Sequence, residues 1–311
     1  MTDELTNAAE WIQIGPWKVS SELFLDVIFT NHCNRHCAYC IARTKTYCTE
    51  DPSRWQRTLE KAFELFNIGS IIILGGEATV DPRFWEKLAD VERLAREYLT
   101  GRVILTTNGV RLTEPDFLER LCQSGITAVN ISRMHYRQDL NDISFGGPTP
   151  TVKEIRHIHD ALTAAGKTLR LNANIWRGNL DTITEMERFT DAFAGYCEAI
   201  KFSPLMNTAM FGTTSETDRF TAENAIPDEE IRVLYDRFAQ RQKMIRKQKN
   251  VLGFVDYAEV IRNGQRVLLK YAQVEDKYDR ERVIPTLKLY PNGCLSNEWN
   301  YRKDILDSLI T

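Results

Sequence analysis

The sequence has no long apolar run, and this absence excludes an integral membrane protein. No stretch of the 311 residues approaches the ~18 consecutive apolar positions that a membrane-spanning helix requires. The first ten residues are polar and acidic, without the apolar segment of a secretory signal. We therefore expect a cytoplasmic protein that has no membrane partner.

A large excess of one charge is also missing. The formal net charge is −3, so no overall positive field would attract nucleic acid. The one basic run, 241–249, is predicted to be the solvated face of a helix that begins at Asp228. We expect no nucleic-acid partner.

Cysteine is scarce and unevenly placed. Three of the seven cysteines fall within eight residues, and the other four are scattered. This distribution is typical of a metal site in a reducing compartment and not of a disulfide framework. With 43% hydrophobic and 27% charged residues, the chain can bury a large core in one barrel-sized domain, alone or with an appendage.

Short apolar or β-branched runs alternate with amphipathic segments through the first two thirds of the chain. The runs predict parallel strands that are buried on both faces, and the segments between them predict crossover helices. One of these helices has a capping-box start, Thr151 with Glu154. The fold class is therefore α/β, an open sheet or a barrel. The six strands are expected at 24–30, 71–74, 103–107, 128–132, 168–175 and 199–203.

The pattern changes after residue 205. A polar loop is predicted at 213–225 and a helix from Asp228 to Lys247. Short strands are predicted near 251–255, 266–273 and 283–290. We divide the chain into an N-terminal segment (1–22), a main domain (23–205) and a C-terminal α+β extension (206–311), in which substrate specificity is expected.

One cysteine-rich stretch follows the first predicted strand and reads Cys33-Asn34-Arg35-His36-Cys37-Ala38-Tyr39-Cys40. Three thiolates at C-x3-C-x2-C spacing on one loop can hold an iron–sulfur cube and leave its fourth iron open. The alternative is a zinc-binding interaction module without catalysis, with Cys48 as the fourth ligand. Zinc frameworks, however, usually pair a C-x2-C knuckle with a second pair of ligands.

This spacing, with an aromatic residue before the third cysteine, resembles the signature of the radical S-adenosylmethionine (SAM) superfamily. The resemblance implies a [4Fe-4S] cluster on Cys33, Cys37 and Cys40, with SAM bound at the open iron and Tyr39 among the cofactor contacts. It also implies a partial (β/α)6 TIM-like barrel, which the six predicted strands fit. An electron donor such as flavodoxin or ferredoxin would be a partner.

A second motif, Gly75-Gly76-Glu77, ends the next predicted strand. Two glycines permit close backbone approach to a ligand, and the carboxylate can accept charge-assisted hydrogen bonds from an ammonium group. A surface turn would explain these three residues equally well on their own. They resemble the GGE motif that holds the SAM amino group in the superfamily, with Ala78 in place of the usual proline.

The third and fourth strands also end in candidate site residues. Asn108 lies in a Thr-Asn-Gly turn that resembles the superfamily's TNG turn, and it is expected to shape the turn or to contact substrate. Ser132 is carried over from the resemblance as a SAM contact. His135 is a tentative substrate residue that could bind an anion or move a proton. The alternative for His135 is a loop histidine without a catalytic task.

Residues 169–179 most resemble the 3',8-cyclase branch of molybdenum cofactor synthesis, and this likeness extends over about 20–205. Strand alternation places Arg170, Asn172 and Asn174 on one face, which favours a lumen lined for a polar ligand. The resemblance implies that Asn172, or Asn174 in its place, contacts SAM. Arg177 is either a partner of the SAM carboxylate or an exposed loop residue, and Arg170 is a tentative substrate contact.

The C-terminal part departs from the cyclase pattern. Only Cys294 follows Cys197, so a second cluster on three C-terminal cysteines is excluded. Cys294 comes directly after Asn292-Gly293, a tight-turn signal. In some radical SAM epimerases a lone C-terminal cysteine gives a hydrogen atom to the substrate radical, and we predict this catalytic role for Cys294. A buried structural thiol is the alternative.

The expected function is that of a radical SAM enzyme acting on a small polar metabolite, such as a sugar, aminoglycoside or nucleoside, in a biosynthetic pathway. A 5'-deoxyadenosyl radical would abstract hydrogen, leading to epimerisation, elimination or cyclisation. The polar lumen face and the missing second cluster motivate this hypothesis. The enzymatic alternative is a peptide-modifying enzyme, in which an edge near Leu287 pairs with a peptide strand.

Overall fold

One large sheet with helices packed on it forms the framework of the protein. The computed structural model describes residues 11–44, 47–99, 101–206, 208, 212–249, 256–271, 283–299 and 301–306. The strands are β1 (Trp11–Ile14), β2 (Trp17–Ile28), β3 (Ile68–Leu74), β4 (Val103–Thr107), β5 (Ala128–Ser132), β6 (Thr168–Ile175), β7 (Ala199–Pro204), β8 (Lys243–Lys249), β9 (Asp256–Arg262), β10 (Gln265–Lys270), β11 (Val283–Leu289) and β12 (Leu295–Ser296). The α-helices are α1 (Pro52–Leu65), α2 (Phe84–Tyr98), α3 (Pro115–Gln123), α4 (Gln138–Phe145), α5 (Val152–Ala164), α6 (Ile183–Phe193), α7 (Ser215–Asn224) and α8 (Asp228–Gln240).

The centre of the sheet is parallel. Its strands follow the order β11-β2-β3-β4-β5-β6-β7-β10, with β9 and β8 added antiparallel beyond β10 and β12 added antiparallel to β11. Within the described ranges no strand pairing closes the sheet into a ring. The fold is α/β, as the alternation of strands and helices predicts, and it is of the partial TIM-barrel type that the resemblance implies.

The six predicted parallel strands are all present as β2 to β7. Their outward side chains, such as Leu25, Ile73 and Leu105, are fully buried beneath the helices. The helix ends also follow local sequence signals, because Thr151 and Glu154 form both hydrogen bonds of a capping box at the start of α5. Apolar strands with helical crossovers therefore account for this part of the fold.

Two predictions for the C-terminal part are wrong. The segment expected to be a polar loop contains α7, which begins where the Thr214 side chain accepts a hydrogen bond from the backbone N–H of Thr217. The helix that begins at Asp228 ends at Gln240, and most of the basic run forms β8, antiparallel to β9. Hydrogen bonding to a neighbouring strand decided the conformation of this run, and charge patterning does not reveal such a neighbour.

The last strands join the barrel sheet. The predicted strands at 266–273 and 283–290 correspond to β10 and β11, which pair in parallel with β7 and β2. The strand predicted at 251–255 lies outside the described residues. None of the helices in the described part of the chain is long and apolar enough to cross a membrane.

Candidate active site

A cavity of about 550 Å³ lies at the carboxyl ends of the parallel strands. Ligands bind at this end of the strands in parallel α/β folds. Most of the site residues predicted from the sequence line the cavity, namely Cys33, Cys37, Tyr39, Cys40, Gly75, Gly76, Glu77, Asn108, Ser132, Asn172 and Asn174. His135, Arg170, Arg177 and Cys294 are not among the lining residues.

The Gly75-Gly76 pair packs directly on the start of the cysteine loop. The backbone N–H of Gly76 donates to the Thr30 carbonyl at 2.9 Å, and that of Glu77 donates to the His32 carbonyl at 2.8 Å. A Cβ atom on Gly75 would lie 2.5 Å from the Thr30 oxygen, and one on Gly76 would lie 2.4 Å from the His32 oxygen. The close approach that glycine permits is therefore made to the cysteine loop itself.

Helix α4 supports the same loop from the other side. The backbone N–H of His36 donates to the Phe145 carbonyl at 2.9 Å, and the Arg35 guanidinium donates to the Pro148 carbonyl. Within the loop, the Arg35 N–H lies 3.4 Å from the Cys33 Sγ atom, and the Cys40 N–H donates to the Cys37 carbonyl. These contacts position the three thiols along one wall of the cavity.

Tyr39 lies in an aromatic cluster beside the cysteines. Its ring centroid is 5.1 Å from that of Trp176, 6.4 Å from that of Phe220 and 6.5 Å from that of Phe145. These aromatic neighbours come from the end of β6, from α7 and from α4. Sequence reasoning missed all three, because their contacts with Tyr39 span more than a hundred residues of chain.

Glu77 connects the ends of β3 and β4. Its Oε1 atom accepts hydrogen bonds from the Thr79 and Thr107 hydroxyls at 2.7 Å each, and its Oε2 atom accepts one from the Asn108 N–H at 2.6 Å. The side chain is buried, and no cation among the described residues forms an ion pair with it. A buried carboxylate with only neutral donors retains an attraction for an ammonium group.

Asn108 has the turn role that the sequence predicted, and it also lines the cavity. Its Oδ1 atom accepts from the Val110 N–H at 3.0 Å, which closes the turn after β4. Its Nδ2 group donates to the Asn34 Oδ1 atom at 2.8 Å, between the first two cysteines. The turn therefore also holds the cysteine loop, while contact with substrate stays a prediction.

The polar face of β6 is present with the predicted alternation. Arg170, Asn172 and Asn174 are only partly buried, whereas Leu169 and Leu171 pack into the core. The Arg170 Nε atom donates to the Asn172 Oδ1 atom at 3.0 Å. In the strand register Asn172 lies between Ser132 on β5 and Lys201 on β7, so the polar row continues across three strands.

Lys201 on β7 and Lys270 on β10 also line the cavity, and sequence reasoning missed both. Each is a lone lysine in a strand with apolar neighbours, at a position that alternation turns away from the core. For Lys201, a single charged residue in the otherwise uncharged strand β7 was the available signal.

Two loop residues with predicted roles contact other residues of the same chain. Arg177 is exposed, and its Nη2 atom pairs with the Glu230 Oε1 atom at 2.9 Å, as expected of the exposed-loop alternative. His135 is buried, with its Nδ1 atom accepting from the Arg137 N–H at 3.0 Å and its Nε2 atom 3.6 Å from Glu185. Burial lowers the pKa of His135. The cavity roles suggested for both residues gain no support from these positions.

Cys294 is buried away from the cavity lining. It packs with Ile28 and Tyr290, and its carbonyl accepts from the Tyr290 N–H at 2.9 Å. The preceding glycine, Gly293, has a φ of +76°, so the predicted tight turn is present. Burial raises the pKa of the Cys294 thiol to about 12. The position favours the structural alternative over the hydrogen-donor role.

The sequence from residue 27 to 190, more than half of the chain, matches the model of the Radical SAM superfamily. The chain belongs to this superfamily. Radical SAM enzymes use a [4Fe-4S] cluster and SAM, so the expectations of an enzyme and of these cofactors are confirmed. The zinc-binding interaction module is not supported.

Individual relatives of this radical SAM protein cover only part of it. A probable GTP 3',8-cyclase from Thermoplasma volcanium is 30% identical over 168 residues, which are 53% of this chain and 49% of the relative. A GTP 3',8-cyclase from Clostridium botulinum is 26% identical over 194 residues, 59% of this chain and 56% of the relative. The chain thus spans about half the length of these curated relatives.

A solved structure shows the same fold over more of the chain. The crystal structure of Streptococcus suis SuiB bound to precursor peptide SuiA aligns with 93% of this chain and 64% of its own, with a TM-score of 0.62. The sequence identity is 16%, so this similarity concerns the radical SAM fold alone.

The three thiols fit the radical SAM cluster as a donor set. Soft sulfur ligands on one loop are what an iron–sulfur cube requires. Burial is the main cause that raises the pKa of Cys33 to about 11 and that of Cys37 to about 12, and burial also raises the pKa of Cys40. The positive charge of bound iron would favour the thiolate form of all three. Cys48, the alternative zinc ligand, is buried and accepts a hydrogen bond from Asn31 at 3.1 Å.

The radical SAM chemistry assigns simple tasks to the protein residues. When bound, the cluster and SAM would supply radical chemistry that can remove a hydrogen atom from a substrate carbon. Cys33, Cys37 and Cys40 would hold the cluster, and the buried Glu77 carboxylate would attract the SAM ammonium group. The polar row on β5 to β7 would orient the substrate beside SAM.

Proposed function

We propose that this radical SAM enzyme abstracts hydrogen from a small polar metabolite, such as a sugar, aminoglycoside or nucleoside. The observation that carries the proposal is the polar inner wall, where Ser132, Asn172 and Lys201 occupy one row across three strands beside the cysteine loop. Polar side chains on the inner face of a barrel need polar partners, and a polar ligand supplies them.

The size of the cavity supports the same proposal. Its volume of about 550 Å³ has to hold SAM as well as the substrate. Pockets for small ligands range from about 300 to 1,000 Å³. The space that remains beside SAM suits a small molecule. The names of the two cyclase relatives also specify a nucleotide, GTP.

The class of reaction is narrowed by the position of Cys294. Epimerisation requires a hydrogen donor at the face opposite the adenosyl group, and Cys294 is not among the cavity residues. We therefore favour elimination or cyclisation over an epimerisation in which this thiol is the hydrogen donor.

The test uses reconstituted, reduced protein incubated with SAM and a panel of deuterated sugars, aminoglycosides and nucleosides. We expect 5'-deoxyadenosine above a Cys37→Ala control, and deuterium in that product with the correct metabolite. The absence of 5'-deoxyadenosine above the control would overturn the proposal.

A peptide substrate is the second candidate, because the SuiB structure contains a precursor peptide. The edge near Leu287 that was expected to take a peptide strand belongs to β11, which pairs with β2 on one side. On the other side β12 pairs with Lys288 and Leu289, which leaves less of this edge for a peptide. Deuterium transfer from a labelled peptide, with none from any metabolite, would establish this alternative instead.

A further inference from the structure

Positive charge gathers on one wall of the cavity. Lys201 and Lys270 line the cavity on neighbouring strands β7 and β10, and Arg170 lies on the adjacent strand β6. Both Arg170 and Lys270 act electrostatically on Lys201. Lys201 and Lys270 therefore lie at one end of the inner face, on the far side of β6 from the strands that carry the cysteine loop and Glu77.

Lys201 has no acidic partner to balance it. Across the described ranges no carboxylate lies within ion-pair distance of its Nζ atom, which lies 6.0 Å from the centre of the Tyr257 ring. Burial, together with Arg170 and Lys270, holds the pKa of Lys201 well below its usual range. A buried ammonium without a counter-charge is costly, so the arrangement is incomplete as it stands.

The nearby carboxylates are engaged elsewhere. Glu259 accepts from the Arg266 Nε atom at 2.6 Å, and Glu198 lies 3.5 Å from the Arg266 Nη1 atom. The only carboxylate that lines the cavity in the described structure is Glu77, whose oxygens accept hydrogen bonds from Thr79, Thr107 and Asn108. Neither Glu198 nor Glu259 forms an ion pair with Lys201.

We propose that the substrate carries an anionic group, a carboxylate or a phosphate, which binds to Lys201 at this wall. The inference rests on the proposed function, since it takes the cavity as the substrate site, and it narrows the substrate to an anionic metabolite. An anion here would gain charge-assisted hydrogen bonds and would supply the missing counter-charge.

The SAM carboxylate is the rival ligand for these cations. Lys201 neighbours Asn172, a predicted SAM contact, in the strand register. The two possibilities differ in a measurable way, because a cation that binds SAM affects SAM affinity, whereas a cation that binds substrate does not.

The experiment measures the binding of inorganic phosphate, pyrophosphate and malonate to the reconstituted, SAM-bound enzyme by calorimetry. We expect at least one of these probes to bind the wild type, and to bind Lys201→Met about tenfold or more weakly. Tighter binding of the phosphate probes would identify a phosphate group, and tighter binding of malonate a carboxylate. Lys201→Arg should retain most of the affinity.

Lys153→Met is the matched control, because Lys153 is an exposed lysine on α5. It should bind the probes as the wild type does. Met removes a buried charge, so Lys201→Met is expected to fold, and Lys201→Gln serves as a second uncharged variant. Iron content and circular dichroism establish that each variant is intact.

Three results would overturn the proposal: no binding of any probe to the wild type, equal binding by Lys201→Met, or a similar loss of SAM affinity in that variant. Formation of 5'-deoxyadenosine is measured in the same samples. If it persists while anion binding fails, the radical SAM function stands and the anionic substrate does not.

Discussion

At the scale of single residues, Glu77 has a buried carboxylate that forms no ion pair with any cation in the described part of the chain. Glu77→Gln would keep the shape of the side chain but remove that charge. We expect SAM affinity to fall about tenfold to a hundredfold, since charge-assisted hydrogen bonds contribute roughly 1.5–3 kcal/mol. Calorimetric titration with SAM measures the change. Glu60→Gln, at an exposed surface pair, should bind SAM normally, and an unchanged affinity in Glu77→Gln would contradict the assignment.

Cys294 leads to a second prediction at this scale. Because its thiol is buried among Ile28 and Tyr290, Cys294→Ser places a hydroxyl in an apolar site. We expect a loss of about 1–2 kcal/mol in the free energy of unfolding, with SAM consumption and product unchanged. Denaturant unfolding and product analysis check both parts. A variant that forms 5'-deoxyadenosine but little product would restore the hydrogen-donor role.

At the scale of elements, the end of β3 determines where the cysteine loop lies. Gly76→Ala would place a Cβ atom 2.4 Å from the His32 oxygen and 2.6 Å from the Asn31 oxygen. The loop has to move, so we expect a loss of about 1–3 kcal/mol in stability and a clear fall in bound iron per chain.

Gly147→Ala is the matched control for this substitution. The new Cβ atom would make only ordinary contact, 3.6 Å from the Arg35 Cδ atom, beside the same loop. Iron content after reconstitution separates the two variants. Equal iron in both would mean that the glycine contact does not position the cluster ligands.

The junction of β2 and β11 makes stability depend on pH. Asp26 on β2 and Lys288 on β11 are register partners and both are buried. Burial raises the pKa of Asp26 from 3.8 to about 6. The folded protein therefore holds this proton more tightly than the unfolded chain does, and Asp26 contributes less stability as pH rises from about 4 to about 6.

The full effect of Asp26 amounts to about 3 kcal/mol over that range. We expect Asp26→Asn to remove this part of the pH dependence, so the difference in unfolding free energy between the two proteins should change between pH 4.5 and 7.5. Denaturant titrations at several pH values measure it. Parallel curves for wild type and variant would show that Asp26 has an ordinary pKa.

The elements also show what local pattern determines. Strands β4 to β6 and the capping box of α5 followed from apolar periodicity and short-range hydrogen bonding. The alternation on β6 predicted which of its side chains lie off the core, and two of these, Asn172 and Asn174, line the cavity. The prediction of a helix for the basic run that forms β8 was wrong, because a run of charged residues fits the surface of a helix as well as an outer strand. Its pairing with β9 is a tertiary contact.

At the scale of the whole molecule, the site depends on contacts that no local motif contains. The Cys-x3-Cys-x2-Cys spacing predicted the cluster ligands. The hydrogen bond between Glu77 and Asn108 and the placing of the cations on β7 and β10, however, arise only when the strands assemble. Pairing order and long-range packing are set by the whole chain, which is why these parts of the site were not predictable from one sequence.

The segment after residue 205 contacts the cysteine loop, although the two are far apart in the sequence. Arg43 pairs with Glu216 at 2.8 Å, and the Arg43 carbonyl accepts a hydrogen bond from the Thr214 N–H at 2.9 Å. On α7, Phe220 packs against Tyr39 and Trp176. Part of the C-terminal extension thus supports the cluster ligands directly.

The contact between α7 and the cysteine loop can be weakened without changing any of the three cysteines. Phe220 is partly buried, so Phe220→Ala should cost about 2 kcal/mol, less than the roughly 3–5 kcal/mol for a fully buried phenylalanine. Because Tyr39 immediately precedes the third cysteine, we also expect faster loss of the cluster on exposure to a chelator. Val233→Ala on the exposed surface of α8 should leave both quantities unchanged. The rate of decay of the cluster absorbance gives the comparison, and equal rates in wild type and Phe220→Ala would mean that the aromatic contact does not stabilise the cysteine loop.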